Sequence, residues 1–314
     1  MRKELGTFVL LVVLCIVVAI LNPRFLAPAN LTNMARLIGM YGIFSIGIGF
    51  VIITGGIDLS VGSIFALLGV LLSIFLTEYH LPSALAVIIV IAISTGLGYL
   101  HGFLVTRVLL PPFIVTLCGL LFYRGLARFI ANDETKGLGS AEGFETLRNL
   151  ATGSVFQVPM PFILLIIVAA IMWVVLHRSV YGRYLYAVGR NEEAARYSGI
   201  SARAIIASSY VLSGLLTGIS GVLLAFYTNS ISPSSHGNSY ELYGIAAAVL
   251  GGCSLRGGEG SVIGVVIGTA LLQVLQNLIN LLGIPSSLNF AVMGAVILVG
   301  VIADQLLQRR SATK

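Results

Sequence analysis

Long apolar runs separated by short polar stretches dominate the chain. A helix needs about 17–25 residues to cross the hydrocarbon core of a bilayer, and ten of these runs reach or approach that length. They cover residues 5–21, 35–54, 61–77, 83–104, 113–131, 161–177, 204–227, 241–253, 261–282 and 288–307. The pattern predicts helices, because lipid offers no hydrogen-bond partner to an open sheet edge. The short run at 241–253 predicts a broken or re-entrant helix.

The composition agrees with a membrane protein. Hydrophobic residues make up 57% of the chain and charged residues only 10%, with a mean hydropathy of +1.01. A soluble domain carries roughly a quarter charged residues, so these few charges cannot cover a water-exposed surface. The first run follows Arg2 and Lys3 like a signal peptide, but no small-x-small cleavage site follows it. It is therefore predicted to be a retained first helix.

The basic residues predict the orientation of the helices. If both termini lie in the cytoplasm and the helices alternate, the inner side holds twice as many Lys and Arg residues as the outer side. That distribution obeys the positive-inside rule, and it accounts for the net charge of +6 without invoking nucleic acid. The inner set is Arg2, Lys3, Arg107, Arg178, Arg183, Arg190, Arg196, Arg203, Arg256, Arg309, Arg310 and Lys314. The outer set is Arg24, Arg36, Arg124, Arg128, Lys136 and Arg148.

These observations predict an all-α, multi-pass fold of about ten transmembrane helices with cytoplasmic N- and C-termini. A single transmembrane domain covers residues 1–314, since no soluble domain or Pro/Ser-rich linker is visible. Two connections are long. Residues 132–159 form a polar outer loop, and residues 178–203 form an arginine-rich inner loop.

The inner loop carries the signals of a short helix. Asn191 is a suitable N-cap, and Glu192 and Glu193 suit the positive end of the helix dipole. Ala194 and Ala195 favour helix, and Gly199 is a natural stop signal. Such a helix suits docking into a groove of a partner, and the alternative is an ordinary helix of an interfacial loop.

A weak internal repeat links two glycine-rich turns. Residues 55–62 read GGIDLSVG, and residues 251–258 read GGCSLRGG. Each follows one apolar segment and precedes another, and both fall on the predicted inner side. Two halves related by an axis along the membrane normal produce such repeats, although chance similarity of glycine-rich turns is the alternative.

Several kinds of chemistry find no support in the sequence. A P-loop needs a lysine after a glycine, and the only lysines are Lys3, Lys136 and Lys314, none of which follows one. The acids Asp58, Glu241, Glu259 and Asp304 lie near predicted helix ends, which disfavours a proton-driven carrier. Ser220 lies in a Gly-x-Ser-Gly pattern, but no histidine is predicted in mid-membrane to activate it, so close helix packing is favoured over an intramembrane protease.

Three segments together resemble the permeases of ribose/xylose/arabinose/galactose-type ATP-binding-cassette importers. They are TGGIDLSVG at 54–62, the loop 189–200 and AAVLGG at 247–252, and the resemblance extends over nearly the whole chain. The family turn contributes Gly55, Gly56, Asp58, Leu59, Ser60 and Gly62. The resemblance implies that the inner loop forms the coupling helix that fits into the ATPase subunit. The residues that it assigns to coupling are Gly189, Asn191, Glu192, Glu193, Ala194, Ala195, Arg196, Ser198 and Gly199.

A stripe of amides suggests a substrate path. Gln273, Gln276, Asn277 and Asn280 are spaced by three and four residues, which places them on one face of the ninth predicted helix. Amides donate and accept hydrogen bonds and suit sugar hydroxyls in transit. Hydrogen bonding between helices is the alternative role.

The sequence therefore predicts a non-enzymatic permease domain of an ATP-driven sugar importer in the bacterial inner membrane. The resemblance implies an ATP-binding subunit, a periplasmic sugar-binding protein and a second permease copy or homologue. No cofactor or metal is expected on this chain, with ATP and Mg on the ATPase. The alternatives are a stand-alone secondary transporter or channel, and an intramembrane enzyme that uses Ser220.

Overall fold

The computed structural model describes residues 2–139 and 144–285, with a few positions between 288 and 298. Helices dominate the described part of the chain. They are α1 (Arg2–Leu21), α2 (Pro28–Ile53), α3 (Val61–Thr77), α4 (Ser83–Thr106), α5 (Pro112–Ile130), α6 (Phe144–Thr152), α7 (Met160–His177), α8 (Val180–Arg190), α9 (Glu192–Tyr197), α10 (Ala202–Thr228), α11 (Tyr240–Leu250) and α12 (Val262–Leu281). A 3-10 turn at Pro23–Leu26 joins α1 to α2.

The first nine predicted segments each coincide with a helix. Among the described residues, seven helices are long and apolar enough to cross a membrane, and α3 and α11 are shorter apolar helices. The shortness of α11 confirms the expectation for 241–253. The predicted segment 288–307 lies largely outside the described residues.

Helices α2 and α10 form the centre of the bundle, and α1 lies at its edge. The second half of α2 is almost entirely buried, whereas α1 packs mainly against α12 and exposes most of its side chains. Small residues permit close packing around α10. Gly98 of α4 meets Gly214 of α10 so closely that a Cβ at Gly214 would lie 3.0 Å from the Gly98 Cα. Such backbone contact stabilises helix pairs in lipid, where apolar burial alone cannot.

Short elements fill the two long loops. In the outer loop, strand β1 (Lys136–Gly137) pairs antiparallel with β4 (Ser230–Ile231), and β2 (Ser154–Val155) pairs with β3 (Val158–Pro159). In the inner loop, α8 is an additional helix that the sequence pattern did not predict. Its cap is Ser179, whose hydroxyl accepts from the Gly182 N–H, and it buries Leu185 and Val188.

Candidate coupling site and substrate path

Helix α9 is the predicted short helix of the inner loop. The Asn191 side chain accepts a hydrogen bond from the Ala194 N–H at 2.9 Å, which confirms the predicted N-cap. Gly199, with a φ of +82°, follows the helix as the expected stop. Ala195 alone among the six residues of α9 is buried, against Val188 and Ala202.

The remaining surface of α9 is open to a partner. The exposed positions are Asn191, Glu192, Glu193, Ala194, Arg196, Tyr197, Ser198 and Gly199. Tyr197 is 91% exposed, an unusual state for a large aromatic side chain. Aromatic and arginine side chains are enriched among residues that anchor protein interfaces.

Gly189, at the end of α8, lies where three backbones converge. A Cβ at Gly189 would collide with the Ile53 carbonyl oxygen at the end of α2 and with the backbone nitrogen of Gly258. The Gly258 N–H itself donates to the Ile53 carbonyl at 2.8 Å. The inner loop is therefore fastened, backbone to backbone, to the end of α2 and to the turn between α11 and α12.

A side chain reinforces this junction. The Tyr186 hydroxyl of α8 donates to the Gly260 carbonyl at 2.7 Å. Burial raises the pKa of Tyr186, which keeps the hydroxyl protonated as the donor. Tyr186, Gly257 and Gly258 were not among the predicted site residues. The glycine density of the second turn was the available signal.

The family turn at 54–60 runs inward from the end of α2. Gly55 ends the helix with a φ of +82°. The Tyr210 hydroxyl of α10 and the Thr116 hydroxyl of α5 both reach the Ile57 carbonyl, at 3.3 and 3.2 Å. Tyr210 also lies so close to Gly56 that a Cβ there would collide with its hydroxyl. Leu59 is half-buried.

Asp58 lies between the end of α2 and the start of α3, as predicted, and is buried in the bundle. The residue is 3% exposed. One carboxylate oxygen accepts from the Ser60 N–H at 3.0 Å and from the Ser60 hydroxyl at 2.6 Å. The other accepts from the Ser213 hydroxyl of α10 at 3.0 Å. These donors stabilise a carboxylate that the apolar surroundings alone would exclude.

A second acid, Glu241 in the first turn of α11, is also buried, and it is 7% exposed. Its carboxylate lies within hydrogen-bonding reach of the Gly62 N–H at the start of α3. Arg124 of α5 donates to the Gly62 carbonyl at 3.1 Å and to the His236 carbonyl at 2.7 Å. If the helices alternate in direction as predicted, α3 and α11 start at opposite faces of the membrane. Their starts can then meet only if the connections before them, residues 54–60 and 229–239, enter the bundle.

The burial of these two acids adds to what the sequence predicted. The sequence predicted that these acids lie near segment ends, and the structure places both near helix starts, as predicted, but it also buries both of them within the bundle. Sequence spacing could not show this, because an acid adjoining an apolar run looks the same at a surface and at an inward-running connection.

The four amides of α12 do not share one environment. Asn277 exchanges two hydrogen bonds with Asn30 of α2, at 3.1 and 2.7 Å, and so joins the helices. Asn280 is exposed, and Gln276 lies within hydrogen-bonding reach of Tyr243. Gln273 is 4% exposed, and its amide makes no hydrogen bond to any residue that the structure describes.

Gln273 faces a narrow cleft between α2, α11 and α12. The cleft contains about 160 Å³ of space between atoms and is closed to a water-sized sphere. Its lining residues are Tyr41, Ser45, Tyr243, Ala247, Thr269, Leu272 and Gln273. Tyr41 also packs on Tyr240, with ring centroids 4.8 Å apart. Tyrosine rings and an amide thus meet in this cleft, which is closed in the conformation described.

Ser220 has a packing role in the structure. It is buried in α10, and its hydroxyl donates to the Met40 carbonyl of α2 at 2.6 Å. The buried histidine of α4, His101, instead pairs with Tyr123 at 2.8 Å. Within the described residues, no group of three His, Cys, Asp or Glu side chains is arranged to hold a metal ion.

The helices and connections define a multi-pass membrane protein. The chain matches, over residues 30–301, a family described as the permease component of the branched-chain amino acid transport system. It belongs to this family of transporter membrane subunits, which are not themselves enzymes. No solved structure matches the chain.

Full-length relatives carry more specific names. The chain is 40% identical to the ribose import permease RbsC of Bacillus subtilis, with 96% of this chain and 93% of the relative covered. It is 33% identical to the fructose import permease FrcC of Rhizobium meliloti, over 93% of this chain and 82% of the relative. It is also 33% identical to the D-allose permease AlsC of Escherichia coli, over 97% and 92%.

Proposed function

We propose that this protein is the permease subunit of an ATP-driven bacterial sugar importer in the inner membrane. The observation that carries the proposal is near-complete alignment with permeases named for ribose, fructose and D-allose import. The family description names branched-chain amino acids instead. Sugar is favoured because the full-length relatives' names specify it and because the cleft offers an amide and tyrosines.

The whole chain, residues 1–314, forms one transmembrane permease domain of ten helices with both termini in the cytoplasm. The nine observed helices at predicted positions and the distribution of arginines support this arrangement. A cysteine-accessibility map tests it. Arg190→Cys and Arg309→Cys should react only with reagents that reach the cytoplasm, and Lys136→Cys should react from outside. Labelling of residues 190 and 309 from opposite sides would refute it.

Helix α9 couples the permease to a separate ATPase subunit that binds ATP and Mg. Its exposure, its capped ends and its backbone attachment to α2 support this role, and the chain has no P-loop of its own. A moving partner that grips α9 would pull on α8, on the end of α2 and on the turn before α12. Force applied at α9 would thus reach α2, α11 and α12, the three helices that line the cleft.

The test of coupling is co-purification from membranes. The double variant Glu192→Lys/Glu193→Lys should lower the amount of bound ATPase about tenfold, the effect of roughly 1.4 kcal/mol of binding free energy. The double variant Glu134→Lys/Glu145→Lys reverses two exposed acids of the outer loop and should bind normally. Equal ATPase recovery with both variants would refute the coupling role.

A periplasmic sugar-binding protein delivers the substrate, and two permease copies or homologues form the pathway. The names of the relatives as import permeases support this assembly. The binding protein that co-purifies with the importer should stimulate ATP hydrolysis in the presence of ribose, fructose or allose. Stimulation by leucine and by none of the sugars would show that the substrate is an amino acid and not a sugar.

Gln273 is the path residue that the structure favours, with Gln276 beside it. Its amide lines the cleft and can donate and accept hydrogen bonds with a ligand in transit. Gln273→Leu should therefore lower the rate of sugar uptake. Asn280→Leu, at an exposed amide of the same helix, is the matched control and should leave uptake unchanged. Unaltered uptake by Gln273→Leu would remove it from the path.

The rival function is a stand-alone secondary transporter or channel, to which the buried Asp58 and Glu241 lend support. The purified chain reconstituted alone distinguishes the two. Sugar flux without an ATPase would establish the rival. Flux that requires ATPase and ATP supports the importer.

A further inference from the structure

The turn between α11 and α12 presents a second cytoplasmic surface beside α9. Leu255 at its tip is 50% exposed, and Arg256 next to it is exposed. An exposed leucine beside an exposed arginine resembles the anchor-and-rim arrangement of protein interfaces.

The turn is held rigidly by its own backbone. The Ser254 N–H donates to the Glu259 carbonyl at 3.1 Å, and the Gly257 N–H donates to the Ser254 carbonyl at 2.9 Å. Gly257 and Gly258 both adopt left-handed conformations, with φ of +83° and +75°. A pre-organised turn loses little conformational entropy when a partner binds its tip.

The turn is continuous with the α9 surface. A Cβ at Gly258 would lie 3.0 Å from the backbone of Arg190, the residue immediately before the α9 cap. A Cβ at Gly257 would lie 2.6 Å from the Gly189 carbonyl oxygen. The exposed charges of this continuous surface have both signs, including Arg190, Glu192 and Arg256. Mixed charges suit an aqueous protein partner better than lipid chains.

We propose that residues 254–256 form a second docking element for the ATPase subunit, which grips α9 and this turn together. The inference rests on the proposed function, because it takes the ATPase as the partner of α9. Simultaneous contact would let the ATPase move α11 and α12 directly through their connecting turn, rather than only through α8 and the end of α2.

The test is photo-crosslinking in the assembled importer, with p-benzoylphenylalanine placed at single positions. Leu255→p-benzoylphenylalanine should form an adduct with the ATPase, as should Tyr197→p-benzoylphenylalanine on α9. The control is Phe156→p-benzoylphenylalanine, on the exposed tip of the outer β2–β3 hairpin, which should form none.

The outcomes separate the two proposals. An ATPase adduct at 197 without one at 255, or adducts of 255 only with lipid or a second permease copy, would overturn the docking role of the turn. Absence of adducts at both positions would refute the coupling role of α9 and the inference with it. An adduct at 255 alone would refute the joint grip on α9 and the turn.

A charge reversal measures whether the contact matters. Arg256→Glu should lower ATP-driven uptake about fivefold, the effect of roughly 1 kcal/mol, with the permease still present in the membrane at parental level. Arg24→Glu, at an exposed arginine of the 3-10 turn, should transport normally. Parental uptake by Arg256→Glu would show that the turn contributes no docking energy and would overturn the proposal.

Discussion

The two glycine-rich turns share a sequence pattern but use opposite means of attachment. In the repeat, Asp58 aligns with Ser254 and Ser60 with Arg256. The first turn runs into the bundle and is held by buried side chains, whereas the second stays at the surface and is held by backbone contacts. Each turn nevertheless follows a helix that ends with a left-handed glycine. The two turns also lie side by side, since a Cβ at Gly257 would be only 3.0 Å from the Gly55 nitrogen. A glycine pattern thus specifies how a helix ends, and the residues after it decide where the chain goes.

Among the variants compared below, Gly258→Ala should cause the largest loss of stability. The added methyl would force a left-handed alanine, at about 1–2 kcal/mol, and would press on the Arg190 backbone, at about 1–3 kcal/mol more. Thermal unfolding in detergent should show a clearly lowered melting temperature. Gly199→Ala is the matched control, because its φ is +82° but no atom lies within 4 Å of the added Cβ. Equal losses for both variants would show that the backbone contact has no energetic weight.

Asp58→Ala tests the side-chain attachment of the first turn. It removes three hydrogen bonds to a buried carboxylate and leaves the Ser60 and Ser213 hydroxyls without their acceptor. We expect a loss of about 2–3 kcal/mol, and Ser254→Ala at the aligned position of the second turn should cost far less. Melting curves of the two variants provide the comparison. A larger loss of stability for Ser254→Ala than for Asp58→Ala would show that the second turn, and not the first, depends on its side chain.

Tyr186→Phe removes the one side-chain hydroxyl that ties α8 to the second turn. The expected loss is about 1 kcal/mol, the value of a typical hydrogen bond, because the ring itself stays in place. Uptake should fall modestly, since the Gly258 bond to Ile53 still fastens the turn. Tyr184→Phe, on an exposed position of the same helix, should be silent. A complete loss of uptake by Tyr186→Phe would assign the hydroxyl more than an attachment role.

Ser220→Ala should have the smallest effect. It removes one hydrogen bond between α10 and α2, worth about 0.6 kcal/mol within a membrane. Transport should continue at nearly the parental rate, as expected for a packing residue distant from both turns. Abolished function in a variant that folds normally would instead revive the intramembrane enzyme.

Local patterns along the chain were enough to predict most of the helices. Length and apolarity placed nine of them, because a spanning helix must cover the bilayer with apolar residues whatever its neighbours are. Helix α9 was equally predictable, since its cap at Asn191 and stop at Gly199 act within a few residues. Helix α8 was missed because it mixes polar and apolar residues and buries only Gly182, Leu185 and Val188.

The candidate site was harder to predict because its contacts join distant segments. The amide stripe on α12 is a property of helical spacing, but its division into a bonded Asn277, an exposed Asn280 and an unpaired Gln273 depends on α2 and α11. The positions of Asp58 and Glu241 inside the bundle depend on connections that turn inward.

By itself, the sequence determined that the chain spans a membrane, where its helices lie and where they end, because hydropathy and caps are local properties. Only the tertiary structure decided that the inner loop is fastened by glycine backbones to the second turn, and which amide faces the cleft. Those outcomes depend on close approach between segments tens to hundreds of residues apart, which a pattern along one segment does not encode.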